Sequence, residues 1–268
     1  MTTSSQLLCI MLKEYLTYLD KNKMYSPNTI RRYETVLTAF VKAMQGKRWS
    51  TIEREDVENY LASMNSKENT KSSCLSAIRG IFAYACTHYG LKENPCKFIA
   101  SPKGKNNIPH VVDVDVIAKA IKIAPKPIKL AILLMSRCGL RVTECLSLNV
   151  DAIQSGRILI VGKGKKERYV YLPKYIEELA FDVAEHGRAF TNYTDRSFRY
   201  AIWSVFKSLG YEVSPHMLRH TFASCMANNG MPLNHLQVLM GHSDIKTTQV
   251  YLHADSCKIK QSYMSAIV

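Results

Sequence analysis

Acidic residues are scarce in this chain. Twenty-two Asp and Glu stand against 36 Lys and Arg, a formal net charge of +14 over 268 residues. Such an excess is the electrostatic footprint of a phosphate-rich partner. A soluble protein with a basic surface is the plainer alternative, and charge alone does not separate the two. An anionic membrane would be a third partner, but no basic amphipathic anchor or lipidation signal is present. Paired cysteines are missing too. The eight cysteines, at 9, 74, 86, 96, 138, 145, 225 and 257, include no Cys-x-x-Cys, which excludes a dense disulfide framework. They read as reduced, mostly packed thiols of a cytoplasmic protein. Long apolar runs are also lacking. The opening "MTTSSQLLCIMLKEYL" has no basic leader, and its short apolar run is helix-periodic, so neither a signal peptide nor a membrane span is expected. What is present is an apolar content of 47%, enough for one large core or two smaller ones.

The first third reads as a set of helices. Leu7, Leu8, Met11, Leu12, Tyr15, Leu16 and Leu19 recur at helical spacing. Ser26 and Pro27 supply the N-cap and first helical position of a second helix, with Ile30, Tyr33, Leu37 and Phe40 along one face. "TIEREDVENYLASM" predicts a short third helix. A fourth is expected from about Thr70 to Tyr89, with Leu75, Ile78, Ile81, Phe82 and Ala85 inward and Gly90 as a stop. Residues 99–109, rich in Pro, Gly, Lys and Asn, predict a linker between a helical domain at 1–98 and a second domain at 110–268. Helices are expected there at about 113–123, 127–137 and 141–148, and again from near Lys174, Thr194, Ser214, Pro232 and Ser243. Between them "RILIVGKGKKERYVYLP" shifts to a β-rich period around Gly-Lys-Gly, a hairpin signal. The expected class is mainly α with a small antiparallel sheet.

Several fragments have chemical potential, and each has a bland reading. His216 and Arg219 sit three apart at the start of a helix, suited to an anion, yet alone they are an ordinary surface pair. His216 and His220 have zinc-like i, i+4 spacing, but the Glu of His-Glu-x-x-His is absent and no third ligand is indicated. Arg141 and Glu144 could be a helix-surface ion pair worth a few tenths of a kcal/mol. Lys163, with Lys165, Lys166 and Arg168 nearby, makes a basic hairpin tip of the kind that is usually just solvated, and no P-loop frame surrounds it. Tyr251, between Val250 and Leu252, is by default a half-buried core tyrosine, one of 15 tyrosines in the chain.

Taken in order, these fragments are Gly-Leu-Arg-x-x-Glu, a Gly-Lys-Gly hairpin, His-x-x-Arg-His, Gly-His, and a tyrosine nine positions after that histidine. The set resembles the tyrosine recombinases, or phage integrases. Its motifs span residues 139–251, and the resemblance over the first hundred residues is looser, resting on "SPNTIRRYETVL" in a helical segment of suitable length. By resemblance Arg141, Lys163, His216, Arg219 and His242 are catalytic, Tyr251 is the nucleophile, and Glu144 is a supporting acid. Every position holds the preferred residue type, so nothing in the motif predicts an inactive relative.

The resemblance implies a two-domain, C-shaped clamp on double-stranded DNA. A helical SAM-like N-terminal domain would bind the core site, and an integrase-type domain would catalyse cleavage. Tyr251 would form a covalent 3′-phosphotyrosyl link, with His216 as its base and Lys163, or Lys165 if the turn slips, as the acid. No metal ion, cofactor or ATP is needed, because the link stores the energy of the broken bond. Strand exchange between two short sites would require a homotetramer. The tail stripe of Ile259, Tyr263 and Ile267 could dock on a neighbour or at home. Arg31, Arg32, Lys71, Arg79, Lys165 and Lys166 are candidates for phosphate contact, each equally readable as a solvated charge. With about a hundred residues before the linker, an additional arm-binding domain is not expected. Two rivals stay open. A type IB topoisomerase would relax DNA rather than join sites. A regulator that binds without cutting would use the helix-turn-helix rhythm around Asn228, Asn229 and Gly230.

Overall fold

The computed structural model describes residues 4–22, 24–102, 110–162 and 167–241, with the side chains of 4–7 left aside. The chain divides into two compact units, residues 1–106 and 107–268. Most of the expected linker, the hairpin tip at 163–166 and everything from His242 onward lie outside the described residues. Among the described residues, no helix is long and apolar enough to cross a membrane.

Among the described residues the first unit has four α-helices, α1 (Ser4–Lys21), α2 (Pro27–Ala43), α3 (Arg54–Ser63) and α4 (Glu68–His88). α2 begins where sequence logic puts it, because the Ser26 side chain accepts the Thr29 N–H and Pro27 needs no donor partner. The apolar stripes then meet in one core. Leu8, Met11 and Leu19 of α1 pack with Leu37 and Phe40 of α2 and with Leu75, Ile78, Ile81, Phe82 and Ala85 of α4. A short 3-10 turn at Trp49–Thr51 precedes α3, a feature the periodicity did not signal.

The second unit is built around α6 (Lys126–Arg137), whose residues 130–136 are all buried. Helices α5 (Val114–Ile123), α8 (Lys174–Val183), α9 (Asp195–Ser208) and α10 (Pro215–Asn228) pack against it. Between α7 (Val142–Leu146) and α8 lies an antiparallel hairpin of β1 (Arg157–Val161) and β2 (Glu167–Tyr171). Its register pairs Ile158 with Val170 and Ile160 with Arg168, and all four side chains face inward. Helix α11 (Leu233–Met240) closes the described chain and packs on α10 and β2. The helix expected near Ser243 lies outside the described residues.

α7 is shorter than the expected 141–148. The Glu144 carboxylate turns back to accept the Arg141 N–H at 2.7 Å, which holds Arg141 extended (φ −78°, ψ 157°) as the cap rather than inside the helix.

Candidate active site

Gly139 delivers Arg141 to the site. Its φ of +69° lets the chain reverse after α6, and a Cβ there would lie 2.5 Å from the Phe222 ring. Only glycine fits both constraints. Arg141 then caps α7 with its side chain 29% exposed, donating from Nη1 to Glu144 Oε1 at 2.9 Å and from Nη2 to the Gly241 carbonyl at 3.1 Å.

Glu144 is not the surface residue that its spacing from Arg141 suggests. It is 5% exposed and is shared by three arginines. Arg168 grips it with a two-pronged pair, Nη1 to Oε1 at 2.9 Å and Nη2 to Oε2 at 2.8 Å. Arg219 Nη1 stands 3.7 Å from Oε2. Burial pushes the carboxyl pKa upward, but the bonds from Arg168 and Arg141 and the Arg168 charge outweigh it and hold the group at about 2. Three guanidiniums meet one carboxylate here, so this described cluster is net positive, and its buried members, Arg168, Arg219 and Glu144, interact strongly.

The same three arginines close on the end of α11. Arg168 Nε donates to the Leu239 carbonyl at 2.8 Å, Arg219 Nη2 to Met240, and Arg141 Nη2 to Gly241. Arg219 Nη1 also bonds the Gly139 carbonyl. Three successive carbonyls that a helix terminus would leave unpaired therefore each take a different guanidinium. Gly241 caps α11 in the left-handed region at φ +59°.

His216 lies one helical turn before Arg219 on α10. Burial, then the positive charges of Arg219, Arg141 and Arg199, push its pKa below the ordinary 6.5, so the ring is neutral near pH 7 and can accept a proton. His220 meets it edge to face, with centroids 5.1 Å apart, and burial followed by His216 and Arg219 lowers its own pKa to about 4.

Of the expected catalytic residues, the structure brings Arg141, His216 and Arg219 together, with the expected supporting residue Glu144 among them. Lys163, His242 and Tyr251 lie outside the described residues, as do the candidate phosphate contacts Lys165 and Lys166. In the first unit Arg31 and Arg32 are exposed on α2, and Arg32 lines a groove with Asn28, Thr29, Tyr33, Ser73 and Ser76. Lys71 stands 3.8 Å from Glu68. Arg79 turns toward its own unit, donating from Nη2 to the Ile99 carbonyl at 2.8 Å and from Nε to Cys96 at 3.4 Å. Arg168, which sequence reasoning left at a solvated tip, joins this cluster. The signal for it was strand alternation, which puts it on the same face as buried Val170.

Residues 110–257 match the model of the phage integrase family, and residues 12–88 match that of the phage integrase N-terminal SAM-like domain. The chain belongs to the phage integrase family. It is a tyrosine recombinase, an enzyme of site-specific recombination. A tyrosine recombinase XerC of Lactobacillus delbrueckii subsp. bulgaricus is 30% identical over 284 residues, covering 94% of this chain and 96% of that protein. A tyrosine recombinase XerD of Listeria innocua is 28% identical over 295 residues, covering 94% and 97%. In fold, the recombinase resembles XerH site-specific recombinase bound to its difH substrate, with a TM-score of 0.76 at 18% identity over 98% of this chain and 96% of that one. It also resembles a lambda integrase dimer bound to a core site, with a TM-score of 0.76 at 15% identity over 88% and 95%.

Proposed function

We propose that this recombinase cuts and rejoins double-stranded DNA through a covalent bond to Tyr251. The observation that carries the reading is the convergence of Arg141 and Arg219 on buried Glu144, with neutral His216 one turn before Arg219. Attack by a tyrosine oxygen on a phosphodiester builds extra negative charge on the non-bridging oxygens. Arg141 and Arg219 offer planar donors there, each typically worth about 3–4 kcal/mol when preorganised. The carbonyls of Met240 and Gly241 now take donors from these arginines, and phosphate oxygens compete for the same groups.

The step balances without a metal ion. The Tyr251 oxygen forms a bond to phosphorus, its proton passes to His216, and the bond to the 5′-oxygen breaks. Lys163 protonates that leaving oxygen, and His242 adds a donor to the phosphate. A 5′-hydroxyl of a second strand attacks the 3′-phosphotyrosyl link in reverse, freeing Tyr251. Exchange between two short core sites needs four copies of the chain. A domain organisation of 1–98, a linker at 99–109 and 110–268 supplies one DNA-binding and one catalytic part, with Arg31, Arg32 and Lys71 at the phosphates of the first. Unpaired cysteines, of which Cys74, Cys96, Cys138 and Cys145 are buried, fit a reducing cytoplasm.

Denaturing capture of protein–DNA adducts from cells, followed by sequencing of the attached DNA, tests the reading and yields the target site. A plasmid carrying two copies of that site should then give recombinant circles. Relaxation without exchange would indicate a topoisomerase, and binding without any adduct would indicate a regulator.

A further inference from the structure

Arg168 is too enclosed to be a substrate ligand. Its side chain is 3% exposed, and it extends inward from β2 beside Ile160 and Val170. All three of its nitrogens are engaged, two on Glu144 and one on the Leu239 carbonyl. It therefore links the carboxylate that orders Arg141 to the terminus of α11. The contact with that terminus is tight, because a Cβ on Gly241 would lie 3.1 Å from Arg168 Nη1. Ten residues beyond Gly241 the sequence reaches Tyr251.

We propose that Arg168 is a positioning residue for strand cleavage, locking Glu144, and with it Arg141 and Arg219, to the end of α11 from which the chain runs on to the nucleophile. The inference rests on the reading of Arg141 and Arg219 as phosphate-binding groups. When those two arginines exchange their carbonyl partners for phosphate oxygens, Arg168 is the one guanidinium of the three that has no substrate to meet. It keeps its grip on Leu239 and on both oxygens of Glu144, so the carboxylate stays oriented and the helix end stays in register. A lysine at this position keeps the charge but has no planar fork, and a single ammonium cannot span two carboxylate oxygens and a carbonyl together.

The test compares Arg168→Lys with wild type on a nicked duplex carrying the site recovered by adduct sequencing, with protein saturating. Arg168→Lys should bind this duplex within about threefold of wild type, while its single-turnover cleavage rate falls about 100-fold, as expected when reacting groups shift by about an ångström. A purely structural residue would lower the unfolding midpoint and leave the rate per folded molecule unchanged, and that result overturns the proposal. Gly241→Ala approaches the same joint from the other side. Its Cβ crowds the Arg168 guanidinium, including the Nη1 that donates to Glu144, without changing either of those residues, and it too should slow cleavage more than binding. Should Arg168→Lys fail to fold, normal cleavage by Gly241→Ala overturns the proposal by itself. Wild-type protein that forms no adduct with the nicked duplex would overturn the underlying functional reading, whereas a competent wild type with competent variants overturns the inference alone.

Discussion

Replacing Glu144 by Gln should destabilise the second unit by about 3 kcal/mol at neutral pH. The side chain keeps its size but loses the charge that three guanidiniums share, and its amide nitrogen presents donors to donors. The magnitude comes from the carboxyl group itself, whose pKa drops from an ordinary 4.5 to about 2 on folding. That difference corresponds to about 3 kcal/mol favouring the charged form in the folded state. For a unit of this size the midpoint should fall by about 10 °C. The chain has two tryptophans, Trp49 in the first unit and Trp203 in the second. In a Trp49→Phe background the Trp203 fluorescence, with its indole N–H on Glu212, reports the second unit alone. The pH dependence has a definite sign. A depressed carboxyl pKa stabilises fully above the unfolded value near 4.5 and loses that stabilisation as pH falls toward 2. The gap between wild type and Glu144→Gln should therefore narrow as the pH is lowered below 4.5. A variant melting within about 2 °C of wild type at pH 7, or a gap that stays constant into acid, refutes the charge-sharing account.

Four further outcomes are expected. Gly139→Ala combines a left-handed backbone with a Cβ inside the Phe222 ring, and should cost more than about 2 kcal/mol in urea unfolding; adding Phe222→Ala should cost less than the sum of the two single changes, because the clash disappears. In DNA titrations at several salt concentrations, Arg32→Ala should reduce the salt slope by about 1, as for one lost phosphate contact. Arg79→Ala should leave that slope alone and instead lower the melting point of the first unit, since its donors hold the Cys96 and Ile99 carbonyls. The second-order cleavage rate should stay level from pH 8 to below 6.5 and fall only at lower pH, because burial and three arginines depress the His216 pKa. A fall centred above 6.5 would remove His216 as the base.

Much of this fold could be read from local chemistry. Ser26 and Pro27 start α2 as their types require, and the inward residues expected of α4 are all buried, beside Cys74 and Ala77. The hairpin was also legible from its change of period. What could not be read depends on residues distant in sequence. Arg168 lies in a lysine-rich run that suggests a solvated tip, and only its pairing opposite Ile160 and the approach of Glu144, 24 positions away, reveal an interior ion pair. Glu144 has the spacing of a surface pair with Arg141, and its burial depends on three elements meeting. Arg79 resembles a phosphate contact until the loop at 94–99 folds back over it. Sequence patterns nominated residue types for the chemistry, whereas the carbonyls at the end of α11 that hold the arginines come only from tertiary structure.

The most direct test of the central claim is mass spectrometric mapping of the adduct formed on the nicked duplex. After nuclease and trypsin digestion, the account predicts a nucleotide joined through its 3′-phosphate to the peptide containing Tyr251, and no adduct from Tyr251→Phe. A nucleotide on any other residue, or an undiminished adduct from Tyr251→Phe, would contradict it.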